Sequence, residues 1–335
     1  MIKKFLLISL CIISLTGTAQ SDFSNIDEYS KHIPDSLTTY PEIADYLTQN
    51  LSTDIEKARA IYIWISHNIR YDINQINSNR RASSQKIIEE VLTERQGVCQ
   101  HYSELFFVMS SFVGLKSFLI KGYTRDATGK IADASHAWNA ILVDSNYFLI
   151  DVTWAAGYLL NGKYVHKFRD NYFMIQPNDF IKSHIPFDPI WQFLDNPINH
   201  SEFIAKDFSK LTTSGVFNYQ DSIQKYEDLN KLTKFEESNK RIIRYGIENN
   251  HIQKQIDENI LQIANTKYNM AVDTLNYGID NYNLYVLYKN KQFRNPKLQD
   301  SQIKELIDNT GNGIYTAKRI YVFKLLLTAI NITVF

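Results

Sequence analysis

The stretch Arg95-Gln96-Gly97-Val98-Cys99-Gln100-His101-Tyr102-Ser103-Glu104-Leu105-Phe106 decides how the rest of the chain is read. A glycine turn delivers a cysteine to the first turn of a predicted helix. Tyr102, Leu105, Phe106, Met109, Phe112 and Val113 follow at helical spacing, so this helix is expected to bury one face. A thiol at a helix N-terminus lies among unpaired backbone N–H groups at the positive end of the helix dipole, which favours the nucleophilic thiolate. The same N–H groups suit an oxyanion forming on an attacked carbonyl. A lone cysteine is otherwise a small buried hydrophobe. Cys99 counts as chemistry only if the chain supplies it with partners.

Upstream, Thr53-Asp54-Ile55-Glu56 has the spacing of a capping box, and Ala58, Ile61, Tyr62, Ile65 and Ile69 share one face of a helix over about 54–69. Residues 71–81 are polar and read as a loop. Ser83 or Ser84 caps a second helix carrying Ile87, Ile88, Val91 and Leu92. Downstream, Gly114 ends the Cys99 helix, and residues 116–123 read as a strand.

After a turn-rich segment, the apolar runs Ser135-His136-Ala137-Trp138-Asn139-Ala140-Ile141-Leu142-Val143 and Tyr147-Phe148-Leu149-Ile150-Asp151-Val152-Thr153-Trp154 flank Asp144-Ser145-Asn146, the pattern of a hairpin. With Asp144-Ser145 as the turn, Asp151 falls opposite Trp138 on the face of His136, and the diagonal pair is about 7 Å apart. With Ser145-Asn146 as the turn, Asp151 moves opposite Ala140, away from His136. The first register is expected, because only it gives both polar side chains a purpose.

Thiol-dependent acyl transfer needs a nucleophile, a base and a group that orients the base. Cys99 at a helix start, His136 at a strand start and Asp151 near the end of the next strand fit these roles. Trp138 and Trp154 are placed to keep water from the pair. Each polar residue alone has an ordinary structural explanation; their joint spacing is the argument for a site.

Together, Gly97-Val98-Cys99, Ser135-His136-Ala137-Trp138-Asn139 and Leu149-Ile150-Asp151-Val152-Thr153-Trp154 resemble the three catalytic motifs of the transglutaminase-like superfamily. Ile69-Arg70-Tyr71-Asp72 is similar to that family's lead-in. Asp188-Pro189-Ile190-Trp191-Gln192-Phe193-Leu194 resembles a segment after the core in the branch related to kyphoscoliosis peptidase. The resemblance covers about residues 50–195. It implies an α+β, papain-like core of N-terminal helices on an antiparallel sheet, with Cys99, His136 and Asp151 as nucleophile, base and orienting carboxylate. His101 departs from the small or aromatic residues expected after the cysteine. Tyr71 and Gln85 both stand as candidates for the second oxyanion donor.

Composition bounds the rest. The chain has 335 residues, room for two domains, and its 44% apolar and 13% aromatic content is that of a globular protein. Lys plus Arg equals Asp plus Glu at 36 each with no basic stripe, which argues against nucleic acid. Lys3 and Lys4, the apolar run from Phe5 to Leu15 and the small residues to Ala19 have the order of a secretory signal peptide over 1–19. Its removal takes Cys11 and leaves Cys99 as the one cysteine, with no disulfide partner. No metal or other cofactor is expected: the histidines are scattered, and a second cysteine is missing. The Gly-x-Ser-x-Gly elbow of serine hydrolases is also missing.

Residues 155–200 read as irregular and Pro-rich. From about 216 the chain is charge-dense and patterned for helices. The expected division is a catalytic domain over 20–200 and a mainly helical C-terminal domain over 201–335. The apolar tail from Ile314 is interrupted by Lys318, Arg319 and Lys324, so it is read as a docking helix, not a membrane span. The whole points to a secreted or periplasmic peptidase or amidase working through a thioester on a protein or peptide substrate, with an envelope protein as a candidate partner of the helical region. Transglutaminase-type crosslinking, or a non-catalytic envelope scaffold on the same fold, are the alternatives.

Overall fold

In the computed structural model, residues 22–76, 83–294 and 298–332 are described; the expected leader at 1–19 lies outside them, as do residues 77–82 of the expected loop. Helices α1 (Ser24–Ser30), α2 (Tyr40–Thr48) and α3 (Asp54–Asn68) come first. Two capping boxes open α2 and α3, Thr39 with Glu42 and Thr53 with Glu56. Residues 58–66 of α3 are buried on every side, so this helix runs through the middle of the core rather than along its surface.

Strand β1 (Arg70–Tyr71) pairs in parallel with β2 (Gln96–Gly97), and α4 (Ser84–Glu94), capped by Ser83, forms the crossover. This pairing sets Tyr71 beside Gly97, just before α5 (Cys99–Phe112). Tyr102, Leu105, Phe106 and Met109 of α5 are buried as expected. Phe112 is not: in the last turn it is 51% exposed, its ring edge-to-face with Tyr40. Gly114 ends the helix with φ +84°, a conformation that side chains with a Cβ resist.

The sheet contains β3 (Ser117–Thr124), β4 (His136–Val143) and β5 (Asn146–Ile150). Val143 pairs with Asn146 and Asn139 with Ile150, the register expected from an Asp144-Ser145 turn. Both turn residues have positive φ, 47° and 65°, as a two-residue type I′ connection requires.

The stretch read as irregular holds more order than that. Short α6 (Val152–Ala156) leads into a hairpin of β6 (Gly157–Leu160) and β7 (Lys163–His166), turned at Asn161-Gly162. After α7 (Pro177–Phe180), β8 (His184–Pro186) adds to the free edge of β3, giving the antiparallel order β5-β4-β3-β8.

The C-terminal region is helical: α8 (His200–Ala205), α9 (Tyr219–Asp228), α10 (Lys231–Tyr245), α11 (Asn250–Asn290) and α12 (Asp300–Ile332). Its first part packs on the sheet. Ile242, Ile252 and Ile256 share an apolar cluster with Tyr123, Ile185 and Phe187, while Ile223 joins Trp138 and Phe193. Arg241 clamps Asp188 through two hydrogen bonds of 2.8 and 2.7 Å. Farther on, α11 and α12 lie along one another, close enough that a Cβ on Gly278 would meet the Gly313 Cα at 3.3 Å. No described helix is long and apolar enough to cross a membrane. The fold is thus an α+β core followed by a mainly helical region.

Candidate active site

Cys99 is the first residue of α5, partly exposed, where the opening N–H groups of a helix have no intrahelical partner. His101 holds this helix start in place. The His101 Nδ1 accepts the Val98 N–H at 3.2 Å, doing the work a Glu or Gln does in a capping box. Its ring lies so close over Gly97 that a Cβ there would sit 2.5 Å from the His101 Cβ. The residue that departs from the family pattern thus has a local task, and it explains why glycine stands at position 97.

His136 opens β4, and Asp151 caps α6 directly after β5. Their side chains meet: His136 Nε2 and Asp151 Oδ2 are 2.7 Å apart. Cys99 is near enough to this ring to help raise its pKa, and with Nε2 committed to Asp151 the nitrogen left for a thiol is Nδ1. Asn139 ties the two elements together, its Nδ2 donating to the Ser103 carbonyl of α5 at 3.0 Å. All three residues expected from the sequence therefore come together, from one helix start and the two ends of one hairpin.

The electrostatics follow from the burial. Asp151 is fully buried, and burial alone would raise its pKa. The His136 charge and the hydrogen bonds from His136 and His184 outweigh that and hold the carboxyl below the usual carboxylate range. Burial likewise opposes protonation of His136, but the Asp151 charge and hydrogen bond, helped by Cys99, push its pKa up. The arrangement therefore favours an imidazolium beside the thiol. Trp154 and Trp138 flank the ring, at 5.8 and 6.1 Å between centroids, and screen it from water.

The two candidate oxyanion donors separate here. Gln85 is exposed and donates to Glu89 on its own helix at 2.9 Å. Tyr71 lies beside Gly97, and burial together with the Cys99 and Asp151 charges pushes its hydroxyl pKa up, so it keeps its proton.

One residue of the site went unread in the sequence. His184, at the start of β8, places Nε2 3.1 Å from the Asp151 Oδ2. His136, Asp151 and His184 offer ligand atoms within 4.8 Å of one another, and among the described residues this is the set with the composition to hold a metal ion. Both imidazole nitrogens are already hydrogen-bonded to the carboxylate, so the cluster is satisfied by its own members.

Residues 41–152 match the model of the transglutaminase-like superfamily. Over 188 residues the chain is 29% identical to kyphoscoliosis peptidase from Homo sapiens, a match covering 54% of this chain and 28% of that one. The Mus musculus protein of that name is 30% identical over 169 residues, 48% of this chain and 25% of that one. Hillarin from Drosophila melanogaster is 26% identical over 201 residues, 54% and 24% of the two chains. The match thus spans about a quarter of these relatives' length. With the motifs and the helix-on-sheet core, it establishes that residues 41–152 form a domain of the transglutaminase-like superfamily, of the branch to which kyphoscoliosis peptidase belongs.

Proposed function

We propose that this chain is a cysteine-dependent acyl-transfer enzyme, a peptidase or amidase acting on a protein or peptide substrate. Cys99 is the nucleophile, His136 the base and Asp151 the orienting carboxylate. The observation that carries this reading is the 2.7 Å contact between the His136 Nε2 and Asp151, which commits one ring nitrogen and leaves the other for the thiol.

The His136 Nδ1 takes the Cys99 proton, and the thiolate attacks the substrate carbonyl carbon. Negative charge moves to the carbonyl oxygen, where the backbone N–H groups at the start of α5 and the Tyr71 hydroxyl receive it. The imidazolium then returns its proton to the departing amine, leaving a thioester on Cys99. Water, deprotonated by the same ring, attacks the thioester and restores the thiol. An amine in place of water would make a crosslink; the residues are the same, and the acyl acceptor differs.

The leader-like segment at 1–19 supports action outside the cytoplasm. We assign the chemistry to residues 20–200 and the docking of an envelope partner to residues 201–335. The test is to trap the acyl-enzyme on Cys99 and identify the attached fragment by mass spectrometry. A fragment bound through Cys99 in the native chain, and absent from Cys99→Ala, is the expected result. Turnover retained in the alanine variant would refute the mechanism, and a folded chain whose Cys99 reacts no faster than a free thiol would favour a scaffold.

A further inference from the structure

Two donors meet on one oxygen of Asp151, and the mechanism above uses only one of them. The second is His184, which is 1% exposed. It reaches Asp151 because the sheet has no side chain between them. Gly122 of β3 pairs with His136 on one side and Pro186 on the other. A Cβ at Gly122 would sit 2.4 Å from the Trp138 Cη2 and 2.8 Å from the Pro186 Cα, so only glycine lets the side chains of β4 and β8 close over β3. His184 then lies in an aromatic box, 4.0 Å from Phe180, 4.4 Å from Trp154 and 5.3 Å from Trp138 between ring centroids.

We infer that His184 is a positioning residue: a neutral imidazole whose Nε2–H fixes the Asp151 carboxylate in the orientation that receives His136. The inference rests on the reading of Asp151 as the orienting group. Its proton arrangement follows from the bonds. An ionised carboxylate only accepts, so the His184 Nε2 must carry a proton. Burial, against the pull of Asp151, lowers the His184 pKa to about 4, so the ring is neutral and Nδ1 is bare. The Ser183 hydroxyl then donates to Nδ1 at 2.7 Å, in preference to the Phe180 carbonyl at 3.4 Å. Ser183 thus donates to His184 and His184 to Asp151, where it meets the N–H of His136 donated from the other side. A polar residue merely satisfied in the core would have no reason to share the oxygen used by His136.

The test compares His184→Leu, which removes the donor, with His184→Gln, whose side-chain amide keeps a donor near the Nε2 position. Iodoacetamide alkylation of Cys99 across pH is the kinetic readout. The leucine variant should react at least about tenfold more slowly near neutrality, the scale of one hydrogen bond to a charged group, with an altered pH profile; glutamine should restore most of the rate. A folded leucine variant with the native profile would overturn the inference. Should leucine prevent folding, nitrogen-15 NMR of the native chain decides: His184 must be neutral with its proton on Nε2 between about pH 5 and 9. A cationic ring or the other tautomer would overturn it. If native Cys99 is no more reactive than a free thiol, the enzyme reading fails, and the NMR result still decides whether His184 holds Asp151.

Discussion

Replacing Asp151 by asparagine removes a charge while keeping the shape, and the hydrogen bonds show what must follow. The carboxylate serves three donors: the Trp154 N–H at 3.0 Å on Oδ1, and the Nε2 atoms of His136 and His184 on Oδ2. An amide has one oxygen to offer. If that oxygen turns to the two rings, the NH2 group faces the Trp154 N–H; the cap of α6 is lost at about 1 kcal/mol and a buried donor goes unpaired at roughly 1–3 kcal/mol more. If the oxygen stays with Trp154, the cap survives and the NH2 group faces the rings. Each Nε2 must then give up its proton, and neutral His136 carries its proton on Nδ1, toward Cys99, where it cannot take another. The second arrangement costs less folding energy, so Asp151→Asn should fold and be chemically crippled. Exchange of this kind in a serine-protease triad lowers turnover by about 10⁴-fold, and a comparable loss is expected here. The assay pairs turnover with the alkylation rate of Cys99 between about pH 5 and 9. A folded asparagine variant whose thiol keeps the native rate and pH profile would refute the reasoning.

Gly97→Ala should destabilise the chain by about 1–3 kcal/mol and slow alkylation of Cys99, because the new Cβ collides with the His101 ring that braces the helix start; thermal unfolding and labelling measure both. Stability should fall as the pH drops from about 6.5 to about 4, since burial holds His184 and His200 near 4 in the folded chain while the unfolded chain binds those protons at higher pH. His136 has the opposite sign: its pKa is raised, so its contribution is complete below about 6.5 and is lost as the pH rises into the alkaline range. Urea titrations at stepped pH should therefore show greatest stability near neutrality. Ending the chain after residue 200 strips Ile223, Ile242, Ile252 and Ile256 from the two clusters they share with the sheet, at about 1.5–3 kcal/mol each, enough to exhaust ordinary domain stability. A chain that keeps α9, α10 and the first turns of α11 should stay folded by circular dichroism and retain Cys99 reactivity.

The parts of the site readable in the sequence are those set by local rules. A capping box at Thr53, a glycine ahead of Cys99 and a two-residue polar turn at Asp144-Ser145 each restrict the backbone within a few residues, and the turn then sets which side chains share a face. His184 was hidden for the opposite reason. Its strand is three residues long, ends in proline and is ordered by a distant partner, β3, so neither alternation nor composition marks it. The β6–β7 hairpin did carry a signal, Asn161-Gly162 between apolar runs, as did Thr39 and Glu42 at the start of α2. Phe112 fits the apolar period yet is 51% exposed in the last turn of α5, which the spacing alone does not reveal.

The clamp on Asp151 also has a consequence for the order in which the protein comes into being. A ribosome delivers Cys99 first, then His136 and Asp151, and His184 arrives 33 residues after Asp151. The isoleucines that seal the cluster around Ile185 follow later still, in α10 and α11. Until they emerge, β8 has its pairing with β3 but not the full apolar cover over Ile185. If Cys99 and His184 act as proposed, full arming of the thiol would wait for α10 and the first turns of α11 to be made.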